Sequence, residues 1–201
     1  MKQLSFLNNT DSENVSSDAF DYRPAIFDEA DSKRYLQTFL NDVSWSQLTT
    51  VMYSREVVTP RLYAWFGDKN ILIDGSPVSS NIWTPELLEI KAKVEAISGI
   101  SFNSVLLNYY RDEHDSVAWH SDRDGIAGRN RFVASVSFGQ ARKFDLRRKD
   151  NHAKKFSVLL ESGSYLLMKG EFQDAWEHRI AKSKIPMSAR INLTFRITQQ
   201  I

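Results

Sequence analysis

The sequence lacks cysteine altogether and has no long hydrophobic run. Without cysteine, the chain has no disulfides, thiolate metal sites or cysteine nucleophiles, so any metal must be bound by histidine, aspartate or glutamate. The longest apolar stretches are only as long as a strand, which predicts no membrane span and no membrane partner. The polar, acidic start of the chain lacks the apolar core of a secretory signal. We therefore expect a cytoplasmic protein, or a nuclear one in a eukaryote.

The composition is that of one soluble globular domain, with 42% hydrophobic and 25% charged residues. The polar segment 1–20 has no apolar periodicity, which predicts a loosely ordered tail ahead of a single folded domain over 21–201. The net charge of +1 conceals an excess of basic side chains in residues 142–155 and 179–190. This asymmetry indicates a surface that faces a polyanion, although a solvated hairpin tip explains residues 147–155 equally well.

Two amphipathic helices are predicted ahead of a region of short strands. The first helix covers residues 32–41, after the capping candidates Asp31 and Ser32. The second begins with Thr84 as its N-cap and ends at Gly99. Short alternating strands then occupy the rest of the chain, which predicts a sandwich, barrel or jelly roll. Two helices ahead of such a region would cover one face of a sheet.

One candidate metal site follows from the spacing of histidine and aspartate. His120 and Asp122 lie two residues apart in an extended run, so both side chains can approach one ion. With the distant His178 they make up two imidazoles and one carboxylate, the facial triad of non-haem iron(II) oxygenases. The same ligand set can hold zinc, and a short H-x-D motif often arises by chance.

A carboxylate-binding face is predicted in residues 189–197, where apolar and polar side chains alternate strictly. Arg190 and Arg196 share the polar face. Guanidinium groups bind carboxylates in a bidentate manner and stay charged when buried, so this face suits a five-carbon dicarboxylate. One arginine would hold the distal carboxylate, and the other would approach the end that chelates the metal. Asn108 and Tyr110 would add neutral hydrogen bonds, or would simply be polar residues of an edge strand.

Together these motifs resemble those of the AlkB family of oxygenases. The segments that carry the resemblance are P-R-L-Y-A-W-F-G (60–67), N-Y-Y (108–110), D-S-V-A-W-H-S-D (115–122), A-S-V-S-F-G (134–139), H-R (178–179) and R-I-N-L-T-F-R (190–196). The resemblance covers roughly residues 50–198 and is strongest to the branch of vertebrate alkylation-repair homologues. It implies a mostly β fold with flanking helices, in which two N-terminal helices pack on one sheet of a double-stranded β-helix, or jelly roll.

The resemblance also implies the residues of the site. Iron(II) would be bound by His120, Asp122 and His178. The co-substrate 2-oxoglutarate would be bound by Asn108, Tyr110, Arg190, Asn192 and Arg196. A lid that recognises the nucleotide would contain Arg61, Trp65 and Phe66, and Asp124 would lie beside a flipped-out base. Trp65 and Phe66 would stack on that base, unless they are core residues.

The implied activity is that of an iron(II)- and 2-oxoglutarate-dependent dioxygenase that demethylates alkylated nucleobases. The expected substrates are 1-methyladenine and 3-methylcytosine in DNA, with RNA as a second candidate, and the expected oligomeric state is a monomer. The reaction consumes O2 and releases succinate, CO2 and formaldehyde. Three alternatives remain open: an oxygenase acting on a protein, lipid or small molecule, a catalytically silent nucleic-acid-binding domain, and a zinc hydrolase with the same triad.

Overall fold

The structure, a computed structural model, describes residues 20–52, 55–73, 75–122, 132–170 and 172–201. Two predictions fall outside these residues: the loosely ordered tail, except for its last residue, and the position of Asp124. The assignment of residues 21–201 to one domain stays a prediction. No helix among the described residues combines the length and the apolar composition that crossing a membrane requires.

The two long helices begin where a capping side chain accepts a hydrogen bond from the first turn. The helices are α1 (Glu29–Asp42), α2 (Pro85–Ser98) and the short α3 (Phe172–Ala175). Helix α2 has the predicted bounds, because Thr84 caps its start and Gly99 follows its last turn in the left-handed conformation. Helix α1 begins three residues before the predicted residue 32. Its cap is Asp28, which accepts the backbone N–H of Asp31, so the predicted capping residues lie inside the helix.

The strands form two main antiparallel sheets. In chain order they are β1 (Phe20–Arg23), β2 (Thr49–Met52), β3 (Arg55–Val58), β4 (Leu62–Gly67), β5 (Ile71–Ile73), β6 (Ser76–Val78), β7 (Ser104–Tyr110), β8 (Val117–His120), β9 (Val133–Gly139), β10 (Arg142–Arg148), β11 (Lys155–Leu160), β12 (Ser164–Met168), β13 (Trp176–Ile180), β14 (Arg190–Arg196) and β15 (Gln199–Gln200). The six-stranded sheet has the order β1-β12-β9-β14-β7-β4, and the four-stranded sheet has the order β11-β10-β13-β8. Strands β15, β5 and β6 form a small third sheet, and β2 pairs with β3.

Two hydrophobic clusters lie on opposite faces of the six-stranded sheet. One packs this sheet against α1 and α2 and includes Phe39 and Leu87. The other packs it against the four-stranded sheet and includes Leu166 and Phe144. This arrangement confirms the predicted jelly roll with two helices on one sheet. Strands β1 to β6 lie ahead of the region in which short strands were predicted, so the prediction missed them.

Strand β14 lies inside the six-stranded sheet and is covered on both faces, so all seven of its residues are buried. Its apolar side chains, such as Leu193 and Phe195, belong to the cluster that faces the helices. Arg190 and Arg196 instead line a cavity between the two main sheets. The predicted alternation of this strand is therefore confirmed, and its polar face forms one wall of the cavity.

We expect Gly139→Ala to lower the free energy of unfolding by roughly 2–3 kcal/mol. Gly139 has a φ of +88°, and a Cβ atom there would clash with the backbone carbonyl oxygen of Ala189. The matched control is Gly75→Ala, since Gly75 has a φ of +78° but no atom within 4 Å of the added Cβ. Its cost should be roughly 1 kcal/mol, from backbone strain alone. Urea denaturation of both variants measures the difference, and equal losses would contradict the steric explanation.

Candidate active site

A cavity of about 430 Å³ opens between the two main sheets. Its volume is in the range of small-molecule sites. Most of the residues predicted from the sequence line it, namely Arg61, Asn108, Tyr110, His120, Asp122, His178, Arg190, Asn192 and Arg196. Strand pairing explains the convergence, because Asn108 lies opposite Asn192, and Tyr110 lies opposite Arg190, across the β7–β14 ladder.

The candidate metal ligands come together at one end of this cavity. His120 ends β8 and pairs in register with His178 on β13. Asp122 lies two residues beyond the end of β8. Its two carboxylate oxygens are each 3.8 Å from an imidazole Nε2, Oδ1 from His120 and Oδ2 from His178. All three residues have a donor atom within 4.8 Å of the others. Two imidazoles and one carboxylate at this separation fit a divalent metal ion.

The protonation states of Asp122 and His178 also suit a metal. Burial alone would raise the pKa of the Asp122 carboxyl, but the charge of Arg196, together with those of His178 and His120 when these imidazoles are protonated at low pH, outweighs this effect and lowers the pKa to about 2. Burial lowers the pKa of His178 to about 3, even though Asp122 acts in the opposite direction. At neutral pH the site therefore offers a carboxylate and a neutral imidazole, the forms that bind metals. The Nδ1 of His120 lies 2.9 Å from the carbonyl oxygen of Ala118, which favours the tautomer with a free Nε2 lone pair.

Two buried side chains hold Asp122 in place. Arg196 donates from Nη2 to the carboxylate Oδ1 over 2.7 Å. Gln173 accepts the backbone N–H of Asp122 at its Oε1, over 2.9 Å. The first contact had been expected only in outline, as an arginine near the metal end of the site. The second was not predicted.

The Arg190 guanidinium is the strongest candidate for binding an anion. The residue is only 1% exposed, and its carbon Cζ lies 5.0 Å from the ring centroid of Tyr110. Its Nη2 donates to Ser137 Oγ over 2.9 Å, whereas Nε and Nη1 have no hydrogen-bond partner among the described residues. Burial lowers the pKa of Arg190 to about 10, so the group is still charged at neutral pH. A buried cation with two unused donors fits a carboxylate ligand.

The neutral polar residues predicted to assist have partners of their own. Asn192 donates from Nδ2 to Ser135 Oγ over 2.7 Å and to the carbonyl oxygen of Val136 over 3.0 Å. Asn108 accepts a hydrogen bond at Oδ1 from Arg61 Nε, over 2.9 Å. This bond brings Arg61 into the cavity beside the residues predicted to bind the co-substrate.

The other predicted lid residues do not line the cavity. Trp65 is buried, and the guanidinium carbon of Arg196 lies 5.8 Å from its ring centroid. Phe66 belongs to the cluster that packs against the helices, on the opposite face of the sheet. The structure therefore does not bring Phe66 to the cavity, and the alternative interpretation as a core residue describes it. The reason is geometric: adjacent residues of a strand point to opposite faces.

Three residues that hold predicted site residues in place were not predicted. Ser135 and Ser137 alternate along β9 and face β14, where they accept hydrogen bonds from Asn192 and Arg190. The sequence could have identified these two serines, because the alternation within A-S-V-S-F-G places both of them on one face of the strand. Gln173 has no comparable signal, because its contact with Asp122 joins residues 51 positions apart.

Part of the predicted basic surface is neutralised by contacts within the protein. Arg142 is buried and donates to the backbone carbonyl oxygens of three residues, Asp112, Asp115 and Ala181. Arg147 pairs with Glu177, and Arg179 pairs with Asp145. The excess of basic residues counted along the sequence therefore does not by itself define a surface that binds a polyanion.

Comparison with known proteins is consistent with this geometry. Residues 20–196 match the sequence family described as the 2OG-Fe(II) oxygenase superfamily. Over 182 residues, the chain is 37% identical to alpha-ketoglutarate-dependent dioxygenase alkB homolog 3 of Bos taurus and 35% identical to that of Homo sapiens. Each match covers 86% of this chain and 64% of the relative.

A second group of relatives includes a protein that matches over a shorter stretch. The chain is 34% identical over 146 residues to the DNA oxidative demethylase ALKBH2 of Homo sapiens, covering 68% of this chain and 56% of that one. The chain thus spans less than two thirds of the length of these relatives. Among solved structures, "The structure of OsALKBH1" matches with a TM-score of 0.64 and 18% identity, over 89% of this chain and 97% of that chain. At this identity the likeness concerns the fold alone.

Proposed function

This chain belongs to the 2OG-Fe(II) oxygenase superfamily and, within it, to the AlkB family, and on that basis we propose that it oxidatively demethylates nucleobases. The observation that carries the oxygenase part of this proposal is the composition of one cavity. The cavity contains three converging metal-binding side chains and a buried guanidinium with unused donors. An oxygenase that uses a dicarboxylate co-substrate needs both features side by side.

The metal centre would consist of His120, Asp122 and His178. Bound iron(II), together with 2-oxoglutarate and O2, would supply the oxidation of a carbon–hydrogen bond. The task of the protein is then to keep Asp122 ionised and His178 neutral, which their surroundings favour. Arg196 holds one oxygen of Asp122 and so restricts the rotation of the carboxylate.

The co-substrate site would centre on Arg190. We assign this guanidinium to the distal carboxylate of 2-oxoglutarate, because its Nε and Nη1 atoms have no hydrogen-bond partner among the described residues and can donate to carboxylate oxygens. Asn108, Tyr110 and Asn192 line the same cavity and would contact the remaining oxygens. Because the Arg190 side chain is buried, its attraction for a carboxylate is weakly screened by solvent.

The substrate assignment is a proposal drawn from the relatives. One of them is named a DNA oxidative demethylase, and we propose alkylated DNA as the substrate here, with RNA as a second candidate. A methylated base such as 1-methyladenine or 3-methylcytosine would have to leave the base stack to reach the cavity. Arg61 lines the cavity and is our candidate for contacting that base. We further propose that the protein acts as a monomer.

We expect formaldehyde and succinate to be released in equal amounts when the protein receives iron(II), 2-oxoglutarate and an oligonucleotide with 1-methyladenine or 3-methylcytosine. An unmethylated oligonucleotide of the same sequence is the control, and it should give only the slow background release of succinate. Parallel reactions with single-stranded DNA, duplex DNA and RNA compare the three substrates. If succinate release is the same with and without the methyl group, the alternative of a protein or small-molecule substrate takes precedence.

A further inference from the structure

The backbone of Asp122 is held in place by a side chain and not by a strand. Strand β8 ends at His120, and its pairing with β13 is irregular between the His178 and Ile180 positions. Asp122 therefore follows the strand without continuing its ladder. Its N–H group instead donates to Gln173 Oε1, over 2.9 Å, in a buried hydrogen bond.

Gln173 is itself fixed from several directions. The residue is 1% exposed and lies in helix α3. Its backbone carbonyl oxygen accepts a hydrogen bond from Lys149 Nζ over 2.7 Å, and the backbone N–H of Lys149 donates to the carbonyl oxygen of Ala175 over 3.0 Å. Its Nε2 lies 3.6 Å from the sulfur atom of Met168. The amide orientation is determined by its partner, because only the oxygen of the side chain can accept the N–H of Asp122.

A neighbouring contact joins the same two segments. Ser121 Oγ donates to the carbonyl oxygen of Trp176 over 2.8 Å. Helix α3 and the start of β13 thus hold residues 121 and 122 through two hydrogen bonds, one to each residue. Of these two bonds, only the one between Asp122 and Gln173 involves a residue that would bind the metal.

We infer that Gln173 is a positioning residue for the metal centre: its side-chain oxygen holds the Asp122 backbone so that the carboxylate stays directed at both imidazoles. The inference rests on the proposed metal site and deepens it. Gln173 does not touch the ion, and it acts only through Asp122. Without its oxygen, a buried N–H loses its partner and the backbone at Asp122 gains freedom to turn away.

The test is the dissociation constant of Mn²⁺, measured by isothermal titration with the full chain and without 2-oxoglutarate. Gln173→Met keeps the length of the side chain but removes the acceptor, and we expect Mn²⁺ to bind about 10–100-fold more weakly, the effect typical of residues that orient metal ligands. Gln173→Glu restores an acceptor oxygen and should bind Mn²⁺ at least as tightly as the wild-type protein.

Met168→Leu is the matched control. This variant removes the sulfur contact of Gln173 but leaves the bond to Asp122, so the Mn²⁺ dissociation constant should stay within about 3-fold of wild type, well below the effect expected of lost ligand orientation. A comparable weakening in Met168→Leu would point to general packing and would overturn the inference. So would wild-type affinity in Gln173→Met.

Two further outcomes separate this inference from the proposed function. If the wild-type protein does not bind Mn²⁺, the proposed metal site itself is wrong. If the wild-type protein and Gln173→Met bind Mn²⁺ equally well, the metal site stands and only the role inferred for Gln173 is wrong. Should Gln173→Met fail to fold, amide hydrogen exchange in the wild-type protein provides a second measurement. We expect slow exchange at Asp122 although it lies beyond the strand, and rapid exchange there would refute the inference.

Discussion

His120→Ala is expected to abolish turnover and to weaken metal binding by at least about 100-fold, more than the loss of a residue that merely orients a ligand. The imidazole is one of three donor groups in the site, and its Nε2 lies 3.8 Å from Asp122 Oδ1. The side chain is 37% exposed, so its truncation leaves no large cavity. We therefore expect the variant to fold normally, with an unchanged circular dichroism spectrum.

The control for this variant is His152→Ala. His152 is also a histidine near an acidic residue, but its side chain is 59% exposed, lies outside the cavity lining and, among the described residues, does not belong to a group of side chains that could hold a metal ion. Titration with Mn²⁺ and formaldehyde release should both remain at the wild-type level in this control. Wild-type metal affinity in His120→Ala would exclude the triad, and with it the proposed mechanism.

Arg190→Met is expected to prevent the binding of 2-oxoglutarate while leaving metal binding intact. Removing one partner of a buried, hydrogen-bonded charge pair typically costs about 2–5 kcal/mol, so the dissociation constant of the co-substrate should rise at least about 30-fold. The ligand-free variant should be as stable as the wild type or more so, because the substitution removes a buried cation with two unused donors. Thermal denaturation with and without 2-oxoglutarate measures both effects.

Arg142→Met provides the contrast. Arg142 is equally buried, but its guanidinium donates to three backbone carbonyl oxygens. Its removal should lower stability without a specific effect on the co-substrate, since those three acceptors lose their partner. If Arg190→Met loses stability as Arg142→Met does and shows no specific loss of 2-oxoglutarate binding, then Arg190 has a structural role and the proposed 2-oxoglutarate site is wrong. A zinc hydrolase with the same triad predicts that activity survives Arg190→Met.

The parts of the fold that could be predicted are those in which one local pattern has one structural solution. Helix α2 has an unambiguous cap at Thr84 and an unambiguous end at Gly99, and both bounds were correct. Helix α1 has several acidic candidates for its cap, and the one that the fold uses, Asp28, precedes the predicted pair. The choice among these acidic residues depends on which of them directly precedes the first helical turn in the fold, and no local sequence pattern shows this.

The parts of the site that could be predicted depend on the period of a strand. The alternation of residues 189–197 separated Arg190 and Arg196 from the apolar face, and both do line the cavity. The same rule, applied to Trp65 and Phe66, shows why two adjacent residues could not both face one pocket. Gln173 could not be found in this way, because its importance comes from a contact between helix α3 and a residue 51 positions away.

Strand β14 has covered faces on both sides, and this has a consequence for the effect of substitutions in it. Its odd-numbered residues pack against the helices, whereas its even-numbered residues face the ligand cavity. Neighbouring positions are therefore subject to separate constraints, one on packing and one on chemistry. A substitution at an odd-numbered position of this strand should therefore affect folding first, whereas one at an even-numbered position should affect binding in the cavity and leave the packing against the helices in place.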